Sequence, residues 1–323
     1  MNERPDHHEI EAAAAILRRG ELVAFPTETV YGLGADATNA HAVARVFEVK
    51  GRPSNNPLIV HTAGTEQAQA LVAQWPAAAE KLARRFWPGP LTLVLARNDV
   101  IPDIVCAGGP TVAVRCPDHP VAMELLRAFG GPLVGPSANR SGSVSSTTAE
   151  HVRRSLGDRV HVLDGGPCER GIESTVVRVE GGAATILRPG VVTAQQLAEV
   201  TPVEAYEPVY AADGGTALPS PGTLRRHYAP TTPARLFEPS QRRAVLDRLE
   251  TGEKLVVISH GIEIDHPSII RMPFDAESYA REIYAALHRA DDAQADAILI
   301  ELPNGDGQIW AAICDRLRRA AAG

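Results

Sequence analysis

Residues 21–40 read ELVAFPTETVYGLGADATNA, and the change of character along them decides the fold class. Glu21-Leu22-Val23-Ala24-Phe25 is a short apolar run that reads as a strand. Just upstream, Ile10, Ala14 and Leu17 share one helical face that ends at Gly20. Just downstream, Asn39 has the side chain of a helix N-cap, so a second helix is predicted to start there. Between strand and helix, residues 26–36 concentrate Thr27, Glu28, Thr29 and Tyr31, groups that carry chemistry rather than a core. Helix, strand, polar segment and helix in succession open an α/β chain.

The rest of the sequence continues that pattern. Strands are expected at residues 57–62, 91–96, 111–115 and 132–135, and around Val160, Thr175 and Thr185; helices are expected at 66–73, 77–86, 119–129 and 149–156. Residues 1–203 therefore read as one α/β domain. Residues 204–232 shift to Pro, Gly, Ala and Tyr without a sustained period, as an extended connector does. A loop that long is either a linker or a functional lid, and its string from Ser220 to Pro230, with His227 and Tyr228, favours a lid. Residues 233–323 alternate again: a strand from Ala234, a helix at 241–249, strands at 254–259 and 268–272, a helix at 276–290, a strand at 297–301 and a helix at 309–320. This predicts a second, smaller three-layer α/β domain, and 323 residues are enough for two cores.

Composition excludes several classes of function. A hydrophobic content of 44% and a charged content of 22% are those of a globular protein. The formal charge of -7 repels polyanions, so any phosphate site must be a local basic pocket and stable nucleic-acid binding is not expected. Cys106, Cys116, Cys168 and Cys314 form no CxxC pair and have no histidine at metal spacing, which suggests neither zinc nor a disulfide framework. The apolar run at 12–17 is closed by Arg18-Arg19, and no later run approaches the roughly 20 residues of a membrane span. A soluble, cytoplasmic chain is expected.

Two short segments suit phosphate. Lys50-Gly51-Arg52, followed by Asn55-Asn56, puts two cations and two amides at the predicted end of the second helix. Only Lys50, Lys81 and Lys254 are lysines among 32 basic residues, so a lysine here points to a need for a compact ammonium. Charge complementing a helix C-terminus accounts better for an isolated Lys-Gly-Arg, which is a weak signal alone. Gly135-Pro136-Ser137-Ala138-Asn139-Arg140-Ser141-Gly142 follows a predicted strand and offers hydroxyls, an amide and close backbone approach, although Ser, Asn and Gly also make ordinary turns. Neither segment has the spacing of a Walker loop or a dinucleotide fingerprint.

The stretch PTETVYGL at 26–33, the K-x-R of Lys50 and Arg52, NPLIVH at 56–61 and the S-x-N of Ser137 and Asn139 together resemble the threonylcarbamoyl-adenylate synthase family. WPGPLT at 87–92, Arg115-Cys116-Pro117, Ser174-Thr175 and LRPG at 187–190 extend the likeness in order, and the Ser-Pro-Gly and His-Tyr-Ala-Pro elements of the connector are similar to its two-domain form. The resemblance implies a YrdC-like twisted mixed-sheet domain with a large concave site and a smaller Rossmann-like domain. It implies catalytic Lys50, Arg52, Ser137 and Asn139 at the ATP phosphates, further nucleotide contacts from Asn56, Thr111, Ser145, Arg188 and Tyr228, and a threonine pocket of Thr29, His61, Arg115 and Ser174. Chemically, Arg115 can fork onto a carboxylate, while a hydroxyl or imidazole can read the substrate hydroxyl.

By the same resemblance the substrates are L-threonine, bicarbonate and ATP. Mg²⁺ would arrive on the nucleotide, since no acidic cluster suggests a protein cage. The product would pass to a separate transferase complex that modifies tRNA. An RNA-binding or regulatory protein of the same fold is the alternative reading. A carbamoyl-phosphate-dependent maturation enzyme fits less well, because its zinc-finger cysteines and acylphosphatase section are missing.

Overall fold

The computed structural model describes residues 5–204, 218 and 226–322. Its strands are β1 (Val23–Phe25), β2 (Gly32–Asp36), β3 (Ile59–His61), β4 (Leu91–Ala96), β5 (Thr111–Arg115), β6 (Leu133–Val134), β7 (His161–Val162), β8 (Thr175–Glu180), β9 (Ala183–Arg188), β10 (Val203–Glu204), β11 (Ala234–Phe237), β12 (Leu255–Ser259), β13 (Ile269–Arg271) and β14 (Ala297–Glu301). Its helices are α1 (His7–Arg18), α2 (Ala40–Lys50), α3 (Thr65–Gln69), α4 (Ala77–Phe86), α5 (Pro120–Phe129), α6 (Ala149–Leu156), α7 (Ala194–Ala198), α8 (Arg242–Glu250), α9 (Ala276–Asp292) and α10 (Gln308–Ala320).

The first ten strands form one mixed sheet in the order β10-β9-β8-β4-β5-β3-β6-β2-β1-β7. Alternation along each strand divides its residues between faces. In β3 and β5, Val60, Val112 and Val114 enter the main core, whereas Ile59 and Ala113 belong to a small apolar cluster on the other face with Val94 and Val176. The parallel register pairs Ile59 with Ala113 and His61 with Arg115. His61 and Arg115 therefore lie side by side on the face that carries the small cluster, just past its apolar floor.

Asn39 caps α2 as expected, accepting from the backbone N–H groups of His41 and Ala42. The helix ends on Gly51 at φ 60°, a left-handed turn that suits glycine and leaves Lys50 and Arg52 on either side of it. Strand β2 is an addition to the sequence reading. Gly32 and Gly34 look like turn residues, but the Phe25 ring lies across both, and a Cβ on Gly34 would stand 2.9 Å from the Val23 carbonyl oxygen. Helix α3 stops at Gln69, short of the predicted 73, because Val72 forms a bridge with Arg97 and the Ala73 N–H donates to Ala96.

The last four strands form a parallel sheet in the order β11-β14-β12-β13. Leu255 and Val257 of β12 pack with Val245 and Leu249 of α8, while Val256 and Ile258 pack with α9 and α10, which makes three layers. The cluster around α9 and α10 also takes in Val30, Val144, Ile172 and Tyr228, so these two helices lie between the small sheet and the large unit. The part of the predicted lid from Ser220 to Gly222 falls outside the described residues; His227 and Tyr228 fall within them.

Candidate active site

A cleft of about 510 Å³ opens on the concave face, and its lining includes Thr29, Arg52, His61, Arg115, Ser137, Ser174, Arg188 and Tyr228. These eight come from seven separated stretches of sequence and the connector. One end is built around Arg115. Its Nε donates to the Gly89 carbonyl oxygen at 3.2 Å, its Nη1 donates to the Thr29 hydroxyl at 3.0 Å, and its Nη2 lies 2.6 Å from Glu28 Oε1. A guanidinium has five N–H donors, so two remain for an incoming carboxylate. Beside it, His61 stands edge-on to Phe25, with ring centroids 5.7 Å apart. A Cβ at Gly135 would come within 2.6 Å of His61 Nδ1, which explains the glycine there. Burial, reinforced by the Arg115 charge, pushes the His61 pKa down to about 3, so the imidazole is neutral at physiological pH.

The other end is cationic. Arg52 is held by Asn56, donating from Nη2 to Oδ1 at 2.6 Å, and by the Pro57 carbonyl at 2.8 Å. Arg188 donates to the Ser174 carbonyl at 2.9 Å and to its hydroxyl at 3.2 Å, and Ser174 in turn bonds the Thr92 hydroxyl at 2.7 Å. Burial and then the Arg188 charge lower the Arg52 pKa to about 9. Burial and then Arg52 push Lys50 well below the ordinary lysine range. Cations that depress one another inside a pocket are stabilised by any anion that enters.

Four of the predicted residues stand behind the lining. Lys50 is buried, and its Nζ donates to the backbone carbonyls of Ser137 and Asn139, bracing the 135–142 loop from beneath. The Asn139 amide donates to the carbonyls of Arg140 and Ser143 and holds the same loop. Asn56 holds Arg52, and the Ser145 hydroxyl donates to Glu173 at 2.7 Å. Thr111 is set apart: it begins β5, whereas Arg115 ends it, and it does not line the cleft.

Sequence reasoning missed the contribution of the C-terminal unit. Tyr284 of α9 donates to Glu173 at 2.9 Å, and Arg316 of α10 pairs with the same carboxylate at 3.3 Å. Tyr228 stacks on Tyr284 with centroids 5.5 Å apart, and the Arg319 guanidinium lies 4.7 Å from its ring. No periodicity or motif announces these contacts, because they join segments far apart in the chain.

Several histidines are buried in uncharged form. His151 of α6 and His288 of α9 stack at 3.9 Å, and burial, then the neighbouring His288, pushes His151 down to about 3. Burial likewise lowers His288 and His227. Their folded pKa values lie below the unfolded one, so between about pH 3 and pH 6.5 the unfolded chain binds more protons and stability falls as pH falls. Thermal melts are expected to show a lower midpoint at about pH 5 than at about pH 7.5. A midpoint that is unchanged or higher at the acid pH would contradict the buried neutral histidines.

A buried arginine beside a neutral imidazole at one end, and cations that lower one another's pKa values at the other, line a single cleft suited to anions. Comparisons with known proteins show the family. The family model described as "Telomere recombination" (Sua5, YciO, YrdC) matches residues 15–190, and that described as "Threonylcarbamoyl-AMP synthase, C-terminal domain" matches 192–322. The chain is 39% identical to the threonylcarbamoyl-AMP synthase of Pyrococcus abyssi, covering 99% of this chain and 96% of that protein. It is 41% identical to the Bacillus subtilis enzyme of the same name, covering 98% and 93%. The crystal structure of P. abyssi Sua5 complexed with L-threonine superposes with a TM-score of 0.89 at 39% identity, covering 99% of this chain and 96% of that one. The chain belongs to the threonylcarbamoyl-AMP synthase family, in its form with a YrdC-type domain and a Sua5 C-terminal domain.

Proposed function

We propose that the chain joins L-threonine, bicarbonate and ATP into threonylcarbamoyl-AMP and pyrophosphate, the activated intermediate for N6-threonylcarbamoyladenosine in tRNA. The observation that carries this is the pairing, within one cleft, of the Arg115 end with the Arg52 and Arg188 end, braced from behind the lining by Lys50. The threonine carboxylate takes the two remaining donors of Arg115, and Thr29, Ser174 and His61 surround its side chain. The triphosphate lies along Ser137, Arg52 and Arg188. Asn56, Asn139 and Lys50 hold those groups in place, and Ser145 acts through Glu173. A role for Thr111 requires the nucleotide to reach the far end of β5.

The amine of threonine condenses with bicarbonate, releasing water and leaving an N-carboxy anion. Its oxygen attacks the α-phosphorus, a new P–O bond forms, and pyrophosphate departs with the electron pair of the broken one. Both reactants are anionic, so catalysis rests on alignment and charge neutralisation. Mg²⁺ enters as part of the nucleotide. Among the described residues no cluster of three or more His, Cys, Asp or Glu side chains could hold a metal, and Glu28 and Glu173 are committed to arginines. The adenylate then passes to a separate tRNA-modifying transferase. No helix among the described residues is long and apolar enough to cross a membrane.

The decisive experiment is pyrophosphate release by the purified chain with Mg²⁺ and ATP, omitting threonine or bicarbonate in turn, with mass detection of the product. Release that needs both, together with threonylcarbamoyl-AMP, is expected. Release independent of both, or none, would favour a binding or regulatory protein.

A further inference from the structure

Glu173 puts a carboxylate into the wall of a cleft otherwise built for anions. Left to itself, it would repel a triphosphate and compete with it for Arg188, the cation that ends the adjacent strand β9. Against the cost of burial, the charges of Arg316 and Arg188 and the Ser145 hydroxyl hold Glu173 below the usual carboxylate range. Arg316 comes from α10, and its side chain is fully buried between the two units. Its Nε faces Glu173 at 3.3 Å, and its Nη1 donates to the Pro189 carbonyl at 2.7 Å. One guanidinium thus grips the residue before Ser174 and the residue after Arg188. Asp315 lies 3.4 Å from the same Nη1 and also pairs with Arg319, so α10 brings its own counter-charge.

The loop that carries Glu173 is fixed against α9 as well. Arg281 Nε donates to the Glu169 carbonyl at 2.9 Å, and a Cβ on Gly171 would stand 2.3 Å from the Ala280 carbonyl oxygen. Tyr284 donates to Glu173 from the next turn of that helix. The carboxylate therefore cannot swing away from the cleft, and the partner it meets there is fixed by α9 and α10.

We propose that Arg316 is a positioning residue for ATP: by neutralising Glu173, it keeps the Arg188 guanidinium directed at the nucleotide instead of at the carboxylate. The C-terminal unit on this view supplies the charge balance of the active site. The proposal rests on the synthase reading, and it adds a role for a residue that touches no substrate.

The test compares the full-length chain with Arg316→Met and with the double variant Glu173→Gln/Arg316→Met. Each is measured by ATP titration of threonine-dependent pyrophosphate release, by calorimetric ATP binding and by thermal melts. Arg316→Met is expected to raise the KM for ATP about tenfold while kcat stays within about threefold, the pattern of lost binding rather than lost chemistry. Removing the carboxylate as well is expected to return KM to within about threefold of the parent chain, as coupled charges do in a double-mutant cycle. A purely structural brace predicts the opposite, since the double variant lacks both halves of it. A KM that stays high in the double variant, or never rises in the single one, overturns the proposal. If Arg316→Met does not fold, the double variant is compared directly with the parent on the same two criteria. If the parent releases no pyrophosphate, the synthase reading has failed, and calorimetric ATP binding still reports on Arg316.

Discussion

Arg52→Ala and Lys50→Ala are each expected to cut threonine-dependent pyrophosphate release by about 10² to 10³, the range seen when a preorganised charge-stabilising donor is removed. The two act differently. Arg52 lines the cleft and is aimed by Asn56 and Pro57, so its loss removes a cation from the developing charge on the phosphates. Lys50 lies beneath the 135–142 loop, where its ammonium gathers the carbonyls of Ser137 and Asn139. Without it, two buried carbonyl oxygens lose their donor and the loop loses the curvature that presents Ser137. Lys50→Arg is not expected to restore activity, because a planar fork does not fit a space built for a compact ammonium. Steady-state assays with thermal melts check both variants; near-normal release from a folded variant would remove that residue from the phosphate assignment.

The lysine illustrates what the sequence shows and what it conceals. Its position at a helix end was legible: Asn39 marks where α2 starts, and Gly51, left-handed at φ 60°, marks where it stops. Its direction was not, since nothing in Lys-Gly-Arg says whether an ammonium points at solvent, at a ligand or at a neighbouring loop. The strands β4 and β5 fall where their short apolar runs place them, because there nearly continuous burial sets the pattern. Strand β2 escaped because Gly32 and Gly34 answer to the Phe25 ring across the sheet, a long-range cause with the local appearance of a turn. The candidate site divides along the same line. Residues inside family-like motifs converge on the cleft, but Tyr284, Arg316 and Arg319 reach it through the packing of two units, and packing between distant segments leaves no period to read.

On the proposed reading, Tyr228 links that packing to the reaction. It is fully buried, lines the cleft and adopts φ 62°, a left-handed conformation rarely held by a residue with a Cβ. Such a conformation persists where the surroundings impose it. Here the ring rests on Tyr284, the Arg319 guanidinium lies 4.7 Å from it, and the following Ala229 N–H donates to the Gly142 carbonyl at 2.8 Å, which ties the connector to the phosphate loop. His227 packs edge-on against the same ring, with centroids 4.1 Å apart. A mixed anhydride hydrolyses if water reaches it, so on the proposed reading a ring over the cleft would preserve product as well as bind nucleotide. Tyr228→Ala is therefore expected to weaken ATP binding about tenfold or more and to lower the yield of intact threonylcarbamoyl-AMP per pyrophosphate released. Truncating a buried aromatic also costs about 3–5 kcal/mol of stability, so a loss of activity alone would be ambiguous. The yield ratio separates the two effects: unfolding lowers adenylate and pyrophosphate together, whereas an open cleft lowers adenylate relative to pyrophosphate. Tyr228→Phe keeps the stack on Tyr284 and is expected to keep the ratio near that of the parent chain. An alanine variant with unchanged ratio and unchanged ATP affinity would reduce Tyr228 to a packing residue of the connector.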